Sequence, residues 1–203
     1  MQPLKELVTK GTTESVARKL LGHFICRRTE EGIVKGMIVE TEAYLSENDQ
    51  ACHASRGKTR RNETMFDKAG KAYVYFIYGN YYCFNVVTGP VGRGEAVLIR
   101  AAKPVAGLEL MRQRRNHPVH NKDLANGPGK LCQAFAIDRS LDGHILWQEP
   151  LYLEENSSII EELPIKATPR IGISVATEKK LRFIISGSEY LSRRESFEQC
   201  NNK

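Results

Sequence analysis

Ala72-Tyr-Val-Tyr-Phe-Ile-Tyr78-Gly-Asn-Tyr81-Tyr-Cys-Phe-Asn85-Val-Val87 is rich in aromatic and β-branched residues in both halves, with Tyr78-Gly79-Asn80 between them. That composition, broken by turn chemistry, predicts a β-hairpin. Upstream, His23–Arg28 and Ile33–Tyr44 read as two further strands joined by the turn Glu30-Glu31-Gly32, and Glu95–Ala101 reads as another. Segments 144–153, 167–175 and 181–187 also look like strands. Residues 13–22 predict a helix, because Thr12 or Thr13 can cap it, Glu14 suits its first turn, and Val16, Ala17, Leu20 and Leu21 recur on one face. Pro104–Arg115 reads as a helix with proline in its first turn, and Pro128–Ala136 as a shorter one. Helices and antiparallel strands thus mix without a βαβ rhythm, which predicts an α+β fold. Residues 46–70 are polar and aperiodic, and long loops of this kind are more often functional than idle.

The totals bound the answer. A chain of 203 residues favours one domain over 1–203, with 1–12 and 194–203 expected to fray. No run of 18 apolar residues occurs, so no spanning helix is expected, and Met1–Lys10 has no apolar core of a leader, so the expected location is cytoplasmic. The five cysteines are far apart with no C-x-x-C pair, which points to neither a disulfide framework nor a zinc site. No metal or cofactor is expected. Lysine and arginine total 30 against 24 acids, a net +6 and a pI near 9.1, compatible with a polyanionic partner. Lys58, Arg60 and Arg61 cluster in one polar segment and Arg112, Arg114 and Arg115 in another; a solvated face is the plain reading of each.

Four constellations could carry chemistry. In Val39-Glu40-Thr41-Glu42-Ala43-Tyr44, strand alternation puts Glu40, Glu42 and Tyr44 on one face. Either carboxylate could serve as a general base for water, and spacing does not choose between them. The hairpin holds five of the eight tyrosines, whose flat faces suit stacking on a base, with Tyr78 at the tip able to slip between base pairs. Ala51-Cys52-His53 lies in the long loop; its lone histidine has no second histidine at metal spacing, and the zinc-deaminase pattern is absent. Asn126-Gly127-Pro128-Gly129-Lys130 opens a helix with free backbone N–H groups and a nearby cation, a phosphate seat that is not a Walker loop.

Together these segments resemble the alkyladenine (3-methyladenine) DNA glycosylase family. The likeness runs from about residue 14 to about residue 190 through seven ordered pieces. They are Val39–Tyr44, Asp49–His53, Tyr73–Gly79, Cys83–Val86, Val97–Ala101, Gly127–Gln133 and Leu181–Phe183. The resemblance implies a mixed domain around a curved antiparallel sheet with flanking helices. It implies an enzyme that binds double-stranded DNA as a monomer, flips out an alkylated or deaminated purine and hydrolyses its N-glycosidic bond. In a bacterium it would act at the nucleoid.

It also assigns roles. Glu42 would activate the water, with Arg100 helping to hold the water and the lesion's phosphate. Tyr44 would stack on one side of the base, with His53 and Tyr75 on the other. The backbone at Ala51 and His53 would read the base edge, and Asn85 would line the pocket floor. Tyr78, flanked by Asn80 and Tyr81, would enter the duplex, and Arg60, Arg61, Gly127 and Lys130 would meet the backbone. The chain departs from the family pattern at Thr59-Arg60-Arg61-Asn62, where proline commonly follows the threonine, and at Asn80, where an apolar residue is common. The rival outside enzymes is a damaged-DNA binder without catalysis, which leaves Glu42 without a task.

Overall fold

The computed structural model describes residues 3–158 and 163–193. One curled antiparallel sheet organises it, built from β1 (Phe24–Thr29), β2 (Gly32–Tyr44), β3 (Ala72–Ile77), β4 (Tyr81–Val87), β5 (Ala96–Ala106), β6 (Leu151–Glu154), β7 (Ile165–Thr168) and β8 (Arg182–Ile185). The order is β3-β4-β5-β2-β1-β6, with β8 pairing the far half of β2 and β7 pairing β8. Helices α1 (Leu4–Lys10), α2 (Thr13–Lys19), α3 (Leu108–Arg114) and α4 (Pro128–Ala134) flank it, an α+β fold as the sequence predicts.

Alternation along the strands separates a main core, a smaller one, and a third small cluster of Val39, Ala101, Ile184 and Leu191. Val74, Phe84, Val86, Val97 and Ile99 face the main core with Leu20, Met111, Leu131 and Phe135. Tyr73, Tyr75, Cys83, Ala96 and Leu98 face a smaller one, roofed by Cys52, Ala54 and Met65 of the long loop. Each large aliphatic so buried contributes about 1.5–3 kcal/mol. Helix α2 docks on the main-core side: Thr12 caps it by accepting from Ser15 N (3.2 Å), and Thr41 Oγ1 donates to Ala17 O (2.8 Å).

Several expectations need correction. Residues 4–10 form helix α1, in which Leu4, Leu7 and Val8 make an i, i+3, i+4 stripe buried against the main core, while 194–203 lie outside the described residues. Strand β5 continues through Pro104 to Ala106, and helix α3 begins only at Leu108 after Gly107 turns the chain with φ +72°. At that glycine a Cβ would sit 2.4 Å from Ile33 O. Of 144–153 and 167–175, only Leu151–Glu154 and Ile165–Thr168 are strands; the stretch 169–175 is irregular chain that passes beside the carboxylates of β2.

Candidate active site

Strand β2 is where the site begins. Its residues 40–42 are flanked by β5 on one side and β8 on the other, so Glu40 and Glu42 are fully buried rather than facing solvent. Two register shifts shape this point. Between Ile38↔Ala102 and Glu40↔Ala101 the extra residue is Val39 on β2; between Glu40↔Ala101 and Thr41↔Ile99 it is Arg100 on β5. Bulges re-aim side chains. Here Arg100 donates from Nε to Glu40 Oε1 (2.9 Å) and from Nη1 to Glu42 Oε2 (3.3 Å).

The two carboxylates live in different surroundings. Glu40 also accepts from Arg182 Nε, Ser192 N and Ser192 Oγ, each at 2.7 Å. Burial pushes its carboxyl up, but Arg100, Arg182 and Ser192 outweigh that and hold it below the usual carboxylate range. Glu42 accepts from Ile171 N and from Tyr44 Oη, both at 2.8 Å, besides the longer Arg100 contact. Burial dominates there, and the carboxyl stays above the ordinary glutamate value despite those donors. A desolvated carboxylate of raised pKa is the kind of group that takes a proton near neutral pH.

Register lines up the rest. Tyr73↔Asn85, Asn85↔Leu98 and Leu98↔Glu42 form one row across four strands, on the face of the smaller core. Above that row opens a cavity of about 170 Å³. Its wall includes Tyr44, Ala51, His53, Tyr75 and Asn85, all five of the residues expected to hold a base. Tyr73, Met65 and Ile77 join them, with Gly172 and Ile173 from the irregular stretch. Tyr44, on the cavity wall, bonds Glu42 through its hydroxyl, so it links the cavity to the carboxylate. The His53 ring meets Tyr75 edge-on at 4.6 Å, and its Nδ1 lies 3.0 Å from Tyr73 Oη. Burial and the neighbouring Arg61 lower the His53 pKa, so the ring is neutral at physiological pH. Asn85 donates from Nδ2 to Tyr73 O (3.0 Å), which fixes the amide.

A segment that sequence reasoning missed holds this arrangement. Arg170 donates from Nη1 and Nη2 to the two oxygens of Asp49 (2.6 and 2.5 Å), and Nη1 also reaches Ala43 O (3.0 Å). Its guanidinium lies 4.7 Å from the centre of the Tyr44 ring, a cation–π contact. Asp49 in turn accepts from Leu45 N (3.0 Å) at the start of the loop that carries Ala51 and His53. The next residue, Ile171, supplies the backbone donor to Glu42. Arg182 stood within the Leu181–Phe183 piece but was given no role, and Ser192 was not singled out. Nothing in a short run such as Arg170-Ile171-Gly172 marks a buried ion pair before its acidic partner is known.

The remaining expected residues lie around the cavity. Tyr78 projects from the hairpin tip, 78% exposed, with φ +53°. A non-glycine residue there is strained by on the order of 1–2 kcal/mol. Asn80 is exposed beside it, whereas the Tyr81 ring lies against α4, where a Cβ on Gly129 would fall 2.8 Å away. Gly127 caps α4, and Lys130 Nζ donates to Asn126 Oδ1 (2.9 Å). The bridge Ala101↔Asn126 sets that turn next to Arg100 in the chain of β5. Arg60 and Arg61 are exposed, and Arg61 Nη2 donates to Phe76 O (3.1 Å) on the β3 edge. In the segment after Thr59, Asn62 braces the loop: it accepts from Thr59 N (2.6 Å) and donates to His53 O (2.8 Å) and Gly57 O (3.1 Å). Among the described residues no helix is long and apolar enough to cross a membrane.

Residues 7–189 match the family described as Methylpurine-DNA glycosylase (MPG). A protein of Carboxydothermus hydrogenoformans is 47% identical, with 88% of this chain and 93% of the relative aligned. One from Methanoculleus marisnigri is 49% identical (90% and 94%), and one from Encephalitozoon cuniculi 48% (87% and 86%). All three are named as 3-methyladenine DNA glycosylases. With the family match covering most of its length, the chain belongs to the methylpurine-DNA glycosylase family, DNA-repair enzymes that hydrolyse N-glycosyl bonds.

Proposed function

We propose that the protein, acting as a monomer on double-stranded DNA inside the cell, flips an alkylated or deaminated purine into the aromatic cavity. There it cleaves the N-glycosidic bond with water activated by Glu42. The observation that carries this reading is the buried, high-pKa Glu42 tied by Tyr44 to a cavity walled by Tyr75, His53 and Asn85. The flipped base stacks on Tyr44 and against His53 and Tyr75, at a gain on the order of 1–3 kcal/mol per stacked contact, which offsets part of the cost of unpairing. Tyr78 fills the gap, and Arg60, Arg61, Gly127 and Lys130 hold the backbone.

The chemistry follows from charge. A purine alkylated at N3 or N7 already carries positive charge and departs readily, leaving an oxocarbenium-like sugar. A carboxylate beside that sugar stabilises the cation and accepts the proton of the attacking water. Arg100 keeps Glu42 available in its ionised form without forming the short, paired contact that would remove its basicity. The test is Glu42→Gln, assayed for release of 3-methyladenine or hypoxanthine and for affinity to lesion DNA. Turnover should fall by at least about 100-fold, the usual share of a general base, with affinity nearly intact. Retained turnover refutes the assignment, and a covalent adduct trapped by borohydride would replace water with a lysine nucleophile.

A further inference from the structure

Glu40 takes no part in the water attack, yet it accepts four hydrogen bonds and shares Arg100 with Glu42. Arg100 gives Glu40 its Nε at 2.9 Å, gives Glu42 only Nη1 at 3.3 Å, and spends Nη2 on Ser192 Oγ (3.3 Å). The bulge at Arg100 and the anchoring of Ser192 N and Arg182 Nε on Glu40 fix that division. We propose that Glu40 is a positioning residue for base excision: it holds Arg100 by its Nε edge and competes for its charge, so that Glu42 remains basic enough to deprotonate water. This rests on Glu42 being the base.

Burial is the larger influence raising the Glu42 carboxyl, and the charge of Glu40 acts in the same direction. Two guanidinium groups, Arg100 and Arg182, face two carboxylates in a buried site, and their formal charges cancel. A carboxylate that took a paired arginine alone would drop by roughly 1–3 pKa units and become a poor base. The other groups near Glu42 supply no such control. Tyr44 on β2 and Cys83 on β4 stay protonated, because burial raises both. Arg170 is engaged with Asp49, and Ile171 offers only its backbone N–H. The charge of Glu40, which takes the Nε edge of Arg100, therefore works beside burial to limit how strongly Arg100 acts on Glu42.

The experiment is single-turnover release of 7-methylguanine from duplex DNA across pH. That base is cationic and leaves without protonation, so the acidic limb of the profile reports Glu42. Glu40→Gln should move this limb down by about 1 pH unit and lower the plateau, because a weaker base remains. Glu40→Asp keeps the charge and should leave the limb in place while the rate falls with altered reach. Should Glu40→Gln leave two arginines under-neutralised and fail to fold, the charge-balanced pair Glu40→Gln with Arg182→Gln keeps the cluster neutral. The limb should then move down as far, with Arg100 left to Glu42 alone. An acidic limb at the wild-type position in a folded glutamine variant overturns the proposal and leaves Glu40 as scaffold. Glu42→Gln run alongside separates the two readings, since its retained turnover would remove the base assignment itself.

Discussion

Replacing Arg170 by methionine should destabilise the protein by about 3–5 kcal/mol, the cost of stranding one member of a buried ion pair. Both side chains are fully buried, and two N–O contacts of 2.6 and 2.5 Å join them. Without the guanidinium, Asp49 keeps only backbone donors, chiefly Leu45 N. Burial pushes the Asp49 carboxyl up, but the Arg170 hydrogen bonds prevail and hold it low. A depressed carboxyl gives stability that is present above its unfolded pKa, about 4, and lost as pH falls through the folded value. The wild-type advantage is therefore full near neutrality and shrinks in acid. Urea unfolding with an unchanged m-value measures it, at neutral pH and again in mild acid. The double variant Asp49→Asn with Arg170→Met removes the stranded charge and should cost less than the single one. A single-variant cost under about 1 kcal/mol, the worth of an exposed pair, would refute this account, as would a double cost equal to the sum of the two singles.

Other expectations concern the tip, the helix contact and the base. Tyr78→Gly relieves a left-handed backbone, so stability should hold or rise by up to about 1 kcal/mol while excision slows on fully paired DNA; equal slowing on single strands would argue against a wedge. Gly129→Ala brings a methyl against the Tyr81 ring, where a Cβ would sit 2.8 Å away, and should cost about 1–3 kcal/mol by thermal melting; a neutral result would mean the hairpin yields freely. Glu42 has a raised folded pKa, so its charged form opposes folding as pH rises through that value. Glu42→Gln should accordingly remove that pH dependence, so wild-type stability should fall relative to the variant's as pH rises toward neutrality; parallel stability–pH curves by urea unfolding would contradict the raised pKa.

The hairpin 72–87 and the strand 33–44 were legible because local periodicity and turn chemistry agree with their final pairing. The family resemblance also named Tyr44, Ala51, His53, Tyr75 and Asn85, which all line the cavity, since each belongs to a recognisable piece. What stayed hidden depends on contacts between distant segments. Pro104 sits in an extended strand because β2 continues beside it, so the helix expected over Pro104–Arg115 begins only at Leu108. Spacing showed Glu40 and Glu42 as equivalent acids; only the bulge at Arg100 and the arrival of Arg182 and Ser192 make them differ. Arg170 was invisible for the same reason, its partner lying 121 residues away. The α1 stripe was missed because three apolar residues in seven give a weak period.

Those long separations have a consequence for synthesis. Glu40 meets Ser192 across 152 residues, and Glu42 meets Ile171 N across 129. During translation both acids emerge early and stay hydrated, since the groups that enclose them are still inside the ribosome. A nascent chain can thus form its hairpin and much of its sheet before these acids are enclosed, and contacts of such high order close slowly. Both carboxylates gain their full set of partners only when β8 and the turn after it have folded back onto β2.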